Sequence, residues 1–264
     1  VGFDPLTVSE AADEIARLAS GTAKGYVVKP YSEFMPRAAD DTELRAILNG
    51  AALCLADGAG IVWAAHYLGL PGGRARALLQ LPLSLLALAL NPAAVRDRLP
   101  EPMAGVDLTW RMLDRLDEAG CSVYLLGGIR REVEGTRRRL EAKYRRLRLV
   151  GARDGYFRRE GPENEALIRE INAARPDVLL VALGFPGQER WIARNLERLD
   201  VRVAVAEGGS FSFMSGAVPR APRWMRRAGL EWLYRLLRQP WRLRRQMAIP
   251  RFVWLVLRER LGRA

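Results

Sequence analysis

The chain is poor in the residues that carry most redox and metal chemistry. Its 264 residues include two cysteines, Cys54 and Cys121, each inside an apolar run and neither in a CxxC pair. That argues against a disulfide framework and against a thiolate metal site, and it reads both as small core hydrophobes. There is a single histidine, His66, so a His-rich zinc site is excluded and a Ser/His or Cys/His nucleophile pair would have to use that one residue. Lying among Trp63, Ala65 and Tyr67, His66 reads as a partly buried structural imidazole. The glycine motifs GxGxxG and GxxxxGK[ST] are also missing, which removes support for standard dinucleotide-binding and P-loop readings. Any catalysis must come from carboxylates and cations.

What the chain does have is apolar residues, 49% of the total, and arginine, 39 against three lysines. The charge is uneven. From Gly216 to Ala264 there are thirteen arginines against Glu231 and Glu259, so nearly all of the net +12 lies in the tail and residues 1–215 are almost neutral. Four of the seven tryptophans are there too. Arg235, Arg238, Arg242 and Arg245 recur at helical spacing beside Trp232, Leu233, Leu236 and Leu237, with Pro240 dividing two helices. Tryptophan with arginine suits an anionic membrane interface better than nucleic acid, and a surface helix pair capping the core is the alternative. The residues from Val1 show no basic segment followed by an apolar core, so the expectation is a cytoplasmic protein, peripheral on the inner membrane face. The uncharged run from Ala77 to Val95 is interrupted by Pro82, Ser84, Asn91 and Pro92. It reads as a buried helix or as a hydrophobic flap on a membrane or partner, and not as a membrane span.

Through residue 210 short β-branched runs alternate with helix-period segments, the signature of an α/β fold. Strands are expected at Gly25–Val28, Leu53–Leu55, Ser122–Leu126, Leu147–Val150, Val178–Leu183 and Val201–Ala206. Near-continuous apolar runs such as DVLLVALG predict a Rossmann-like, mostly parallel sheet with helices on both faces. Residues 1–215 form this core, with 77–95 as an insert, and 216–264 a basic amphipathic appendage. Ligands bind such sheets at the carboxyl ends of the strands. Three strand ends carry suitable turns: Asp57-Gly58-Ala59-Gly60, Gly127-Gly128, and Gly184-Phe185-Pro186-Gly187-Gln188-Glu189. Backbone N–H groups there can approach a phosphate at the following helix N-terminus.

Six segments, LADGAGIVWA, MAGVDLTWRML, VYLLGG, VGARDGYF, INAARPDVLLVALGFPGQERWI and RAPRWMRRAGLEWLYRLLRQPWRLRRQ, resemble the WecG/TagA/CpsF glycosyltransferases over residues 2 to 252. The resemblance implies an inverting transferase that moves a sugar, N-acetylmannosamine in the best-known branch, from a UDP donor to a polyprenyl-diphosphate-linked saccharide of a cell-surface polymer. Such a reaction needs a base for the acceptor hydroxyl and cations for the departing diphosphate, with no cofactor beyond the donor. No DxD pair suited to a divalent ion stands out, and Asp40-Asp41 reads as a helix cap, so transfer without a metal is expected.

Asp57, at a strand end before a glycine, is the candidate base; an N-cap or Asx-turn role is the alternative. Gln188, the glutamine of PxQE, is the second catalytic candidate. Gly58, Gly127, Gly128, Gly184 and Glu189 are expected to line the substrate site. Arg220, Arg235 and Arg242, at the RAP, YRL and PxR positions, are expected over the diphosphate. The family's Thr-x-Asn-Pro-Glu stretch is replaced by Lys29-Pro30-Tyr31-Ser32-Glu33, and its FDF-like element by Phe211-Ser212-Phe213. Lys29 is then a phosphate or sugar-carboxylate contact and Tyr31 a stacking surface, which leaves open a glucosyl or uronic acid donor, or a membrane scaffold without activity. The arginine before the GxDL block falls to Arg98, with Arg74 and Arg76 as rivals. A homo-oligomer is compatible with this reading.

Overall fold

The computed structural model describes residues 1–103, 105–222, 225, 231–238 and 243–263; at 231–233, 235, 244 and 245 it describes the backbone alone. Arg242 lies outside the described residues, and so does the Arg235 side chain.

Six strands form one sheet: β1 (Gly25–Val28), β2 (Leu53–Cys54), β3 (Ser122–Gly127), β4 (Arg148–Arg153), β5 (Val178–Ala182) and β6 (Val203–Ala206). Their order is β2-β1-β6-β5-β3-β4, and every pairing is parallel. Successive side chains on a strand point to opposite faces, and these strands are apolar at both parities. Val27, Val123, Leu125, Leu180 and Val205 enter one buried cluster with α1 (Val8–Ser20), α6 (Gly105–Ala119), α7 (Arg130–Lys143) and α10 (Ser210–Met214). Val28, Tyr124, Leu126, Val181 and Ala204 enter the other with α2 (Met35–Asp40), α3 (Thr42–Asn49), α8 (Pro162–Ala174) and α9 (Gly187–Asn195). This is the doubly covered sheet expected from sequence. Local signals set the helix starts: Thr7 and Glu10 form a capping box on α1, and Asp41 accepts from the Leu44 N–H at 2.9 Å to cap α3.

A third apolar cluster stands beside the sheet. It joins α4 (Ala59–Gly69), α5 (Arg74–Leu90), a 3₁₀ turn at Pro92–Val95 and α13 (Ala248–Arg263). Two further helices, α11 (Glu231–Arg238) and α12 (Leu243–Gln246), precede α13. The uncharged 77–95 run is thus a helix on the flank of the core. Trp63 donates to Ser84 Oγ at 3.0 Å and the Tyr67 hydroxyl to the Ala77 carbonyl at 2.8 Å, which fastens α5 to α4. The final helix of the tail buries Phe252 and Val256 in the same cluster. Arg260, 5% exposed, donates to the Leu68 carbonyl and to Gln80 Oε1, both at 3.2 Å. No helix among the described residues is long and apolar enough to cross a membrane.

Candidate active site

The carboxyl ends of the strands form a hydrogen-bonded rim that follows the sheet order. After β2, the Asp57 N–H donates to the Pro30 carbonyl after β1 at 3.2 Å. Lys29, also after β1, reaches Glu207 after β6: Nζ lies 2.9 Å from Oε2, and the two side chains are 5% and 0% exposed. Thr109 of α6 donates to the same carboxylate oxygen at 2.6 Å. The Gly208 N–H then donates to Gln188 Oε1 at 3.0 Å, in the turn after β5. Gln188 in turn donates through Nε2 to Glu189 Oε1 at 2.8 Å. Further along, the Gly128 N–H donates to the Ala182 carbonyl at 2.9 Å, and the Gly155 N–H to the Gly128 carbonyl at 2.9 Å.

Asp57 is half-buried at this rim. It bridges to Met103, and its Oδ2 faces the start of α6: a methyl group added to Gly105 would stand 3.1 Å from that oxygen. The carboxylate therefore meets a helix N-terminus, where a negative charge is favoured. Gly58 follows with φ +88, a conformation that favours glycine, and its missing side chain faces open space.

The other predicted glycines divide into two kinds. A side chain at Gly184 or Gly187 would meet nothing within 4 Å, so the PxQE turn faces open space. Gly187 opens α9 and presents its N-terminus there. Gly127 has a packing reason instead: a Cβ would fall 2.3 Å from the Ala182 carbonyl oxygen. Gly128 is tied to the neighbouring strand ends by the two backbone bonds above, and a Cβ on it would press on Glu132 at 3.1 Å.

Two buried carboxylates lie in the rim. Glu189 is 1% exposed, and burial pushes its carboxyl from 4.5 up to about 7, with the Gln188 hydrogen bond partly opposing the rise. One oxygen of each, Glu189 Oε2 and Glu207 Oε1, lacks a hydrogen-bond partner among the described residues.

Lys29 does not offer a free cation to a ligand at the rim, since its ammonium is neutralised inside the fold by Glu207. Tyr31 packs at 4.0 Å from the Phe34 ring, and Phe34 stacks on Phe185 of the PxQE turn, so Tyr31 sits beside the rim through an aromatic chain. Arg220 comes to the site from the tail and forks onto Asp107 in the first turn of α6, with Nη2 3.1 Å from Oδ2. Arg98 does not join them. It lies on the Gly69 carbonyl at 3.4 Å, at the far end of α4 and about 16 Å of helix away from Asp57. The negative end of a helix dipole explains that location. His66 is 15% exposed and pairs through Nδ1 with Asp97 Oδ1 at 2.6 Å, as a structural group. Both cysteines are buried, and burial pushes the Cys54 thiol up to about 12.

Glu207, Thr109 and Asp107 were not singled out from sequence. Glu207-Gly208-Gly209 carries the same signal as the three chosen turns, an apolar strand followed by an acid and glycines, and that signal could have found it. Asp107 lies inside the quoted MAGVDLTWRML segment.

The model of the WecG/TagA/CpsF glycosyl transferase family matches residues 1–96 and 85–264, and the junction falls within the apolar stretch around α5. An N-acetylglucosaminyldiphosphoundecaprenol N-acetyl-beta-D-mannosaminyltransferase of Bacillus subtilis (strain 168) is 34% identical over 163 residues, 62% of each chain. The enzyme of the same name from Bacillus spizizenii (strain ATCC 23059 / NRRL B-14472 / W23) is 30% identical over 233 residues, 88% of this chain and 79% of the relative. With matches of this extent at both ends of the sheet and through the tail, the chain belongs to the WecG/TagA/CpsF family of glycosyl transferases.

Proposed function

We propose that the protein transfers N-acetylmannosamine, with inversion, from a UDP donor to N-acetylglucosamine carried on polyprenyl diphosphate, working at the inner face of the membrane. The observation that carries this is the position of Asp57: a half-buried carboxylate at the sheet's carboxyl edge, on the same rim as Gly58, Gly184 and Gly187, whose missing side chains face open space. The relatives' names supply the sugar and the acceptor.

In this reading Asp57 takes the proton of the acceptor hydroxyl as its oxygen bonds to the anomeric carbon. The bond from that carbon to the diphosphate oxygen breaks on the opposite face, and the electron pair leaves with UDP. Charge developing on the diphosphate is met by the N–H groups opening α9 and by Arg220. Gln188, 3% exposed and bonded through both amide atoms to Gly208 and Glu189, acts as a positioning residue that holds the PxQE turn and the start of α9 toward the donor. In this reading guanidinium and backbone N–H groups meet the diphosphate charge, and the EDTA arm of the test below decides whether a divalent ion is needed. The pairing of Lys29 with Glu207 withdraws Lys29 as the cation for a uronic acid donor.

The test is transfer of labelled sugar from UDP-N-acetylmannosamine to a short-chain, water-soluble lipid-diphosphate N-acetylglucosamine, with and without EDTA. Asp57→Asn should lower kcat by roughly 10²–10⁴-fold while leaving UDP affinity within about twofold. Full activity in that variant rejects the base. A panel of UDP sugars checks the donor, and absence of UDP binding in calorimetry would favour an inactive scaffold.

A further inference from the structure

Helix α5 is apolar on both its inner and its outer side. Its inner side is held to α4 and α13 by Ala77, Ser84 and the partly buried Leu81, Leu85 and Leu88. Its outer side carries Leu78, Leu79, Leu83, Leu86 and Leu90, exposed by 53%, 70%, 64%, 54% and 76%. From Leu79 these recur every three to four residues, with Leu78 at the edge, and form one stripe along a 17-residue helix. No charged residue interrupts the chain from Ala77 to Val95. A contiguous apolar stripe of this kind marks an interaction surface.

We propose that this stripe seats the protein on the anionic phospholipid leaflet that carries its acceptor. The proposal rests on the transferase reading above, in which the acceptor is a membrane lipid. Charge picks lipid over a second copy of the chain. Exposed arginines flank the stripe along the chain, Arg74 and Arg76 before it and Arg96 after it; Asp97, next to Arg96, is already paired with His66 and with Arg98. Leucines entering the acyl boundary between flanking guanidinium groups is the pattern of an interfacial helix. The neighbouring α13 adds a half-exposed indole, Trp254, with the Arg258 guanidinium 4.9 Å from its ring, an arrangement that suits the headgroup layer. At 17 residues α5 is about 25 Å long, too short to span the hydrocarbon, and its fastening to α4 holds it as a surface element. Helix α4, which α5 is fastened to, begins two residues after Asp57, so the element proposed to meet the leaflet is carried by the same helix that follows the candidate base.

The full chain is tested by co-sedimentation with vesicles of phosphatidylglycerol and phosphatidylcholine, and with phosphatidylcholine alone. Leu79→Glu/Leu83→Glu should cut the partition onto anionic vesicles by at least about tenfold, while its melting curve and its turnover of a water-soluble short-chain acceptor stay as in the wild type. In a second arm, Leu83→Cys is labelled with an environment-sensitive fluorophore, Cys54 and Cys121 being buried; emission should rise and shift to the blue when vesicles are added. Undiminished vesicle binding by the glutamate variant overturns the proposal. So does a probe already shielded in a stable dimer and indifferent to vesicles, which would assign the stripe to contact between copies. Failure of the wild type to transfer sugar, with vesicle binding intact, rejects the transferase reading and leaves the lipid surface standing.

Discussion

Lys29 and Glu207, 178 residues apart in the chain, meet as a buried ion pair at the carboxyl ends of the adjacent strands β1 and β6. Thr109 of α6 adds a hydrogen bond to the same carboxylate oxygen, so the pair also ties the sheet to the helix whose first residue abuts Asp57. Removing one partner strands the other charge in a medium that solvates it poorly. Lys29→Met and Glu207→Gln should each destabilise the fold by about 3–5 kcal/mol in urea unfolding, while the double variant Lys29→Met/Glu207→Leu should recover most of that loss. A double variant no more stable than the singles would show that the pair is not the unit of stabilisation.

Glu189 gives the protein a pH dependence with a definite sign. Its carboxyl sits at about 7 in the fold against 4.5 in the unfolded chain, because burial disfavours the charged form. Between these values the folded protein keeps a proton that the unfolded chain has released, so stability is fully present below pH 4.5 and falls as pH rises toward 7. The shift corresponds to a loss of about 3 kcal/mol. Glu189→Gln still accepts from Gln188 Nε2 and removes that slope. It should match the wild type at pH 4 and exceed it by up to about 3 kcal/mol at pH 8, measured by urea unfolding at the two pH values. Equal stability at pH 8 would mean that the carboxylate is solvated in the protein.

The glycines of the rim make a contrasting pair. Gly127→Ala forces a side chain against the Ala182 carbonyl at φ +124 and should cost more than about 2 kcal/mol. Gly187 has neither a positive φ nor a neighbour within 4 Å, so Gly187→Ala should leave stability within about 0.5 kcal/mol. If UDP approaches the backbone there, its affinity in calorimetry should fall roughly tenfold. Unchanged affinity would move the diphosphate away from the α9 N-terminus.

Much of this was legible in the sequence because strand ends advertise themselves locally. All six strands were readable from apolar β-branched runs bounded by glycine, proline and acids, and Asp57, Gln188 and the glycine turns followed from where those runs stop. The short helix Met35–Asp40 was not read, since its start is signalled by little more than Pro36. What sequence could not supply was partnership. Lys29 looked like a phosphate ligand until the β1–β6 adjacency delivered Glu207 to it, and no local spacing encodes that adjacency. Arg98 was chosen by its distance from a motif, whereas the end of α4 decides where it lies. The 77–95 run was readable as apolar, but which side of it faced outward depended on how it folds back on the preceding α4 and on α13 arriving from the far end of the chain.

Arg220 separates a tail that completes the site from one that merely covers it. Its guanidinium forks onto Asp107, and the two side chains are 21% and 47% exposed. An ion pair so open to water contributes under about 1 kcal/mol, so Arg220→Ala should barely alter urea unfolding. Turnover should fall roughly hundredfold if the same group meets charge on the departing diphosphate, since one preorganised donor is worth about that much. Arg220→Lys keeps the charge but loses the planar fork and should recover only part of the rate. Asp107→Asn distinguishes positioning from contact: it leaves the cation in place but loosens its orientation, and should raise KM for the donor more than it lowers kcat. Equal losses of kcat in Asp107→Asn and Arg220→Ala would make the pair a strap between the tail and α6, and full turnover in Arg220→Ala would remove this arginine from the reaction.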